Sequence, residues 1–227
     1  TFCVRGVMSP LLSNLVLDEL DRELERRQHR FVRYADDCNI YVASKRAGKR
    51  VMQSVTSFLQ RRLKLKVNEA KSAVARPQER KFLGFSFTNG IKPKRRIAPK
   101  ALLRCKQRVR ELTRRTRGVS VEQMTKELAS YLQGWKGYFG YCQTPSVLGR
   151  LEEWIRRRLR SVIWKHWKRS AVRFAGLRQR HVGLELAAQT AASPHGPWRL
   201  ANSPALSLAF PVAYFDSLGL PRLLDLG

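Results

Sequence analysis

The sequence predicts an α+β chain built in two parts, a first part mixing short strands with helices and a second part helical throughout. Three observations carry that division. The β-rich runs at residues 31–34, 39–42 and 81–87 all fall before residue 90. Beyond Pro99 the apolar residues recur only at helical spacing. Charge changes at the same place: residues 91–170 carry 22 Lys and Arg against 5 Asp and Glu, in a chain whose net charge is +28.

Taken in order, Ser9-Pro10 opens the first helix, with Ser as cap and Pro in the first turn. Leu12, Leu15, Val16, Leu20 and Leu24 then repeat at helical spacing to about Arg27. The two β-rich runs that follow enclose Ala35-Asp36-Asp37-Cys38, which reads as a hairpin with a carboxylate-bearing turn. A second helix spans about 47–63, residues 65–67 are short and extended, and 81–87 is a further strand ended by Asn89-Gly90, a strong turn signal. Pro and a basic run make 91–98 a linker between a first domain, 1–90, and a helical domain, 99–182. Within the latter, Leu102, Cys105, Val109 and Leu112 line an arginine-coated helix. Ser120-Val121-Glu122-Gln123 is a capping box, and the helix it opens is expected to be interrupted by the Gly-aromatic stretch 134–141. Pro145 starts a long helix to about Arg169. The tail, 183–227, is punctuated by prolines and weakly periodic, and reads as an extension of the helical domain.

An excess of cations this large calls for a polyanion, most simply nucleic acid, and argues against small acidic substrates. Apolar residues at 43% put the chain among folded proteins. Cys3, Cys38, Cys105 and Cys142 form no CxxC pair, and His29, His166, His181 and His195 complete no zinc spacing with them. Free thiols and a cytoplasmic location follow. No apolar run reaches the ~18 residues of a membrane span, and the first ten residues lack the apolar core of a signal peptide.

Asp36-Asp37 are the residues best placed for chemistry. Adjacent carboxylates in a turn can hold divalent cations beside a third carboxylate from another strand, and two such ions activate a 3′-hydroxyl and stabilise leaving pyrophosphate. A solvated acidic turn explains the same pair. Trp135, Tyr138, Phe139 and Tyr141 could stack on bases, but aromatics at such spacing more often fill a core.

Residues 31–37, Phe-Val-Arg-Tyr-Ala-Asp-Asp, resemble the YxDD box of group II intron-encoded reverse transcriptase–maturases. The neighbours agree in order. Ser9-Pro10-Leu11-Leu12-Ser13-Asn14 resembles the end of the preceding "QGxxxSPLLxN" block. Leu63, Leu65, Asn68 and Lys71 resemble "LxLxxNxxKT", and Phe82-Leu83-Gly84-Phe85 resembles "FLGF". Gly134-Trp135-Lys136-Gly137-Tyr138-Phe139 resembles the maturase element "GWxNYF", and residues 154–160 its following basic helix. The resemblance covers nearly the whole chain. It implies the end of a polymerase palm over 1–90 and a basic thumb and maturase domain after it. Asp36 would be a ligand of a two-ion Mg²⁺ centre and Asp37 a supporting one. Tyr34 and Ala35 would lie under the primer terminus, with Ser9, Pro10, Asn68, Lys71 and Gly84 facing template, primer or nucleotide. Phe82, Leu83 and Phe85 are read as core. Arg156, Arg157, Arg158, Arg160, Lys165, Lys168 and Arg169 would bind RNA, although one helix cannot turn all seven to one face. The implied partners are the group II intron RNA, a template–primer duplex, a DNA target and deoxynucleoside triphosphates, and the implied activity is RNA-directed DNA polymerisation with help to splicing and mobility. A catalytically dead, RNA-binding maturase remnant is the alternative.

Two departures bear on activity. Where the family reads "PQGG" this chain has Cys3-Val4-Arg5-Gly6, and the acidic residue expected in an earlier strand has no counterpart, since no acid precedes Asp18. The Mg²⁺ site is therefore expected to be incomplete and the chain alone inactive in DNA synthesis. A start at Thr1 with an altered block reads as a truncated or frame-disrupted copy, or a partial gene.

Overall fold

The computed structural model describes residues 9–224, which form two compact units divided in sequence between Glu79 and Arg80. The division falls ahead of the 91–98 linker expected from composition. The altered block at Cys3-Val4-Arg5-Gly6 lies outside the described residues.

The first unit contains α1 (Ser9–Arg26), an antiparallel hairpin of β1 (Arg30–Tyr34) and β2 (Asp37–Tyr41), and α2 (Lys45–Arg61). The hairpin register pairs Arg30 with Tyr41 at one end and Tyr34 with Asp37 at the other. Two helical turns of α1 bury Leu20 and Leu24, while its earlier turns leave apolar side chains open, from 42% exposed at Val16 to 71% at Leu15. The strands flanking the acidic turn leave Val32 and Tyr34 exposed, because a two-stranded ribbon has a second face to cover. Ser44 caps α2 by accepting the Ala47 amide at 3.2 Å. Residues 65–67 join no strand.

The second unit holds the core. Its first elements are β3 (Phe85–Phe87) and β4 (Arg95–Ile97), an antiparallel pair. The strand expected over 81–87 is shortened because Phe82 and Phe85 exchange backbone hydrogen bonds of 2.9 Å in both directions around a tight turn. β4 lies inside the expected linker. Its backbone is held by β3 and also by Gln143, whose amide donates to Arg95 O at 2.8 Å and whose side-chain oxygen accepts from Arg95 N at 2.8 Å. Three longer helices follow: α3 (Pro99–Leu112), α4 (Val121–Phe139) and α5 (Pro145–His166). Ser120 caps α4 through the Gln123 amide at 3.1 Å, as the capping box requires. α4 runs unbroken through Gly134 and Gly137, where an interruption was expected. Each glycine costs about 1 kcal/mol relative to Ala, and the packing of Trp135, Tyr138 and Phe139 at i, i+3 and i+4 outweighs it. α5 ends at His166, short of Arg169, which instead precedes the next helix.

The weakly periodic tail is folded. α6 (Ser170–Gln179), α7 (Leu184–Ala192), α8 (Pro197–Leu200), α9 (Pro204–Ala209) and α10 (Val212–Ser217) pack short apolar faces onto one core. Pro197 and Pro204 hold first-turn positions, so prolines that read as breakers start helices. The core runs from Ile97 through Val109, Leu128, Ile155 and Trp164 to Phe210, Phe215 and Leu223. Among the described residues no helix is long and apolar enough to cross a membrane.

Candidate functional site

The acidic turn sits at the tip of the β1–β2 hairpin. Tyr34 and Asp37 are the last ladder pair, and Ala35 and Asp36 make the two-residue loop. Ala35 takes φ 52°, a left-handed conformation that costs an L-residue about 1–2 kcal/mol. Arg33 holds the strained turn. Its guanidinium donates to the Ala35 carbonyl at 2.9 Å, to Asn14 Oδ1 on α1 at 2.9 Å, and to both Asp21 oxygens, the nearest at 2.5 Å. The Asp21 carboxylate raises the Arg33 pKa above its ordinary value. Burial pushes the Cys38 thiol, opposite Arg33 in the ladder, up to about 11. The loop itself stays open: Asp36 and Asp37 are exposed, and Tyr34 is 64% exposed.

Hard, oxygen-seeking Mg²⁺ suits such a pair by donor type. Two neighbouring carboxylates do not complete a two-ion centre, however, and among the described residues no three His, Cys, Asp or Glu side chains gather to hold an ion.

Ser9 and Pro10 open α1. Asn68 makes a local turn, its side-chain oxygen accepting the Lys71 amide at 3.2 Å and its carbonyl accepting Lys71 and Ser72 at 3.1 and 3.0 Å. Gly84 belongs to the second unit. With Leu83 (φ 49°) and Gly84 (φ 77°) both left-handed, the turn between Phe82 and Phe85 is very tight. It packs on the end of α4. Tyr138 donates its hydroxyl to Leu83 O at 2.9 Å, and the Phe85 ring lies 5.3 Å from Phe139 and 6.0 Å from Tyr138. Of the aromatic group, Trp135 is buried, Phe139 is half-buried and Tyr141 is exposed.

The seven cations of the basic helix divide. Lys165, Lys168 and Arg169 are exposed. The four arginines before them are half-buried and bonded to protein. Arg156 pairs with Glu152 at 3.2 Å. Arg157 donates to the Trp198 carbonyl at 3.0 and 3.2 Å and stacks on that ring at 4.2 Å. Arg158 donates to Thr113 Oγ1 at 2.7 Å. Arg160 donates twice to the Phe210 carbonyl, at 2.9 and 3.0 Å. Burial lowers the pKa of both Arg158 and Arg160. Arg158 ties α5 to the end of α3, Arg157 and Arg160 tie it to the C-terminal segments, and the Arg156 pair stays within α5.

Sequence reasoning missed Arg33, Asp21 and Glu152. Arg33 and Asp21 are twelve residues apart, so no spacing rule joins them. An arginine two residues before a carboxylate turn was the available signal. Glu152 is buried and accepts the backbone amides of Leu223, at very short range, and of Leu224 at 3.1 Å.

Two family models match the chain. Residues 6–87 match the model described as reverse transcriptase (RNA-dependent DNA polymerase). Residues 102–181 match the group II intron, maturase-specific domain. No curated protein matches it. The first match crosses from the first compact unit into the second, ending at the last residue of β3.

Proposed function

The chain belongs to the group II intron reverse transcriptase–maturase family, and from that membership we propose that its helical unit binds intron RNA and the template–primer duplex, while its hairpin presents Asp36 and Asp37 to an RNA-directed DNA polymerase centre. The observation that carries the RNA-binding half is the distribution of charge over a closed core. The second unit has a well-buried apolar core, yet residues 91–170 hold 22 basic against 5 acidic residues. A folded surface so unbalanced is held off from itself by repulsion and gains most when phosphates neutralise it and release their counterions. A-form RNA hides its major groove, so the contacts are to backbone and shape rather than to base edges. Asn68, Lys71, Ser9, Pro10, Tyr34, Ala35 and Gly84 remain the proposed neighbours of template, primer and nucleotide, with Mg²⁺, deoxynucleoside triphosphates and a DNA target as the further partners, in a cytoplasmic ribonucleoprotein.

The second reading is a maturase remnant that binds RNA without polymerising. One pair of measurements tests both. Filter binding to a structured intron RNA is expected to weaken by around 10³ between 50 and 200 mM salt, the response of about six phosphate contacts. A flat response removes the RNA-binding assignment. Primer extension by the chain is expected to equal that of its Asp36→Ala variant, and extension clearly above that level restores the polymerase reading for this chain alone.

A further inference from the structure

Of the four protein-bonded arginines of α5, Arg157 is set apart by the exposure of its partner. Arg156 is held by the buried Glu152 carboxylate, Arg158 by the hydroxyl of buried Thr113, and Arg160 by the carbonyl of Phe210, a fully buried residue. Moving any of these three guanidinium groups takes a hydrogen bond from a buried residue. Arg157 instead donates to the carbonyl of Trp198 in α8, a residue 40% exposed, and its guanidinium carbon lies 4.2 Å from the centre of the indole. Among the described residues no other cation lies as close to a ring.

Resting on the RNA-binding reading above, we propose that Trp198 and Arg157 form a binding site for one unpaired RNA nucleotide. The indole stacks on the base, and the guanidinium exchanges the Trp198 carbonyl for the phosphate. That carbonyl is neutral and its bonds with Arg157 lie at the exposed surface, so water replaces the guanidinium when it leaves. A phosphate oxygen accepts a charge-assisted bond about twice as strong. The base then takes the guanidinium's place as the flat partner of the ring.

The surroundings favour a nucleotide over an apolar protein segment. Arg199, next in the chain, is exposed and among the described residues makes no side-chain hydrogen bond or ion pair. It supplies a second cation beside the ring for a neighbouring phosphate. Between Glu185 and Asp216 the chain carries no acidic residue to compete for either arginine. The nucleotide must be unpaired, because in a duplex each base face is already covered by its neighbours. Paired RNA offers nothing to the ring and is held by charge alone. Both matched segments end before Trp198, the maturase-specific one at residue 181.

The test uses the whole chain and three labelled RNAs of equal length: an unstructured strand of uridines, the same strand with abasic sites in place of its bases, and a blunt duplex of arbitrary sequence. Affinity is read by fluorescence anisotropy. Trp198→Ala is expected to bind the uridine strand about tenfold more weakly, the loss of one base stack. Its slope of log affinity against log salt should stay unchanged, and its duplex binding should match the parent's. Trp198→Phe keeps a ring and is expected to restore strand binding, while the quenching of tryptophan fluorescence by the strand weakens. Arg157→Gln is expected to flatten the salt slope for the strand by about 0.7, the value of one phosphate contact. The unaltered chain is expected to bind the abasic strand about tenfold more weakly than the uridine strand, a comparison in which no variant has to fold. Equal losses of strand and duplex in Trp198→Ala, or an abasic strand bound as tightly as the uridine strand, overturn the stacking site while leaving RNA binding in place. Failure of the unaltered chain to bind any of the three removes the broader reading as well.

Discussion

Gly84 combines a left-handed backbone with a crowded neighbour. Its φ of 77° is left-handed, and a Cβ there would meet the Phe139 ring at 3.0 Å. Gly84→Ala is expected to cost about 1–3 kcal/mol from the backbone conformation alone, read as a lower Tm with the family turn loosened from α4. The family resemblance marks this glycine for an approach to the primer strand. The neighbour found against it is an aromatic ring of the same unit, a contact that no local pattern announces. The cysteines give a pH prediction. Burial pushes both Cys38 and Cys105 up to about 11 from an ordinary value of 9.0. The folded state therefore favours the neutral thiols. Their contribution to stability is complete below pH 9 and is lost as pH rises from 9 to 11. Alkylation of these thiols should be slow at pH 8 and climb across that interval, while rapid modification of Cys105 at pH 7 would contradict its burial. At this scale the place of Asp36-Asp37 at a hairpin turn was legible, since an acidic pair stands out in a basic chain. The duties of Arg156, Arg157, Arg158 and Arg160 were not, because a guanidinium on a carbonyl and one facing water have the same letter.

Elements with long, regular patterns were legible. The α3 face of Cys105 and Val109, the Ser120 cap and the hairpin around Asp36 all formed where periodicity and turn chemistry put them. Elements fixed by distant partners were not. β4 exists because β3 and Gln143 satisfy its backbone, 48 residues away in the case of Gln143. The tail helices are too short for a period to emerge, and their order comes from contacts with α5 and with one another. Glu152 is the clearest of these. Replacing it by Ala leaves the amides of Leu223 and Leu224 and the Arg156 guanidinium without their acceptor, at about 1–3 kcal/mol per buried group. Glu152→Ala should lower the melting temperature and make the C-terminus sensitive to carboxypeptidase. Glu152→Gln keeps an acceptor oxygen and should protect most of that resistance. Equal digestion of the Ala variant and the parent would mean that the clamp holds nothing.

Over the whole molecule, the apolar core lies in one unit and the exposed apolar stripe of α1 in the other. A fragment spanning residues 80–227 should therefore fold with a cooperative melt, whereas residues 1–79, with Leu20 and Leu24 as their buried large side chains, should be prone to aggregate. A soluble, sharply melting 1–79 fragment would reverse that expectation. The α+β division was legible in composition, because strands, helices and charge all change near residue 90. The compact boundary was not, because Phe85 and its strand belong by packing to the aromatic end of α4 and by family order to the preceding block. The arginine contacts that tie the C-terminal helices to α5 also affect how damaged protein would behave. Proteolytic nicking near residue 196 followed by loss of the segment beyond it would strip Arg157 and Arg160 of the carbonyls of Trp198 and Phe210. The clipped molecule would be less stable yet carry more unsatisfied guanidinium groups on its surface. In a gel-shift assay it would pass for the stronger ligand of RNA, and an aged preparation would gain apparent affinity as it lost its fold.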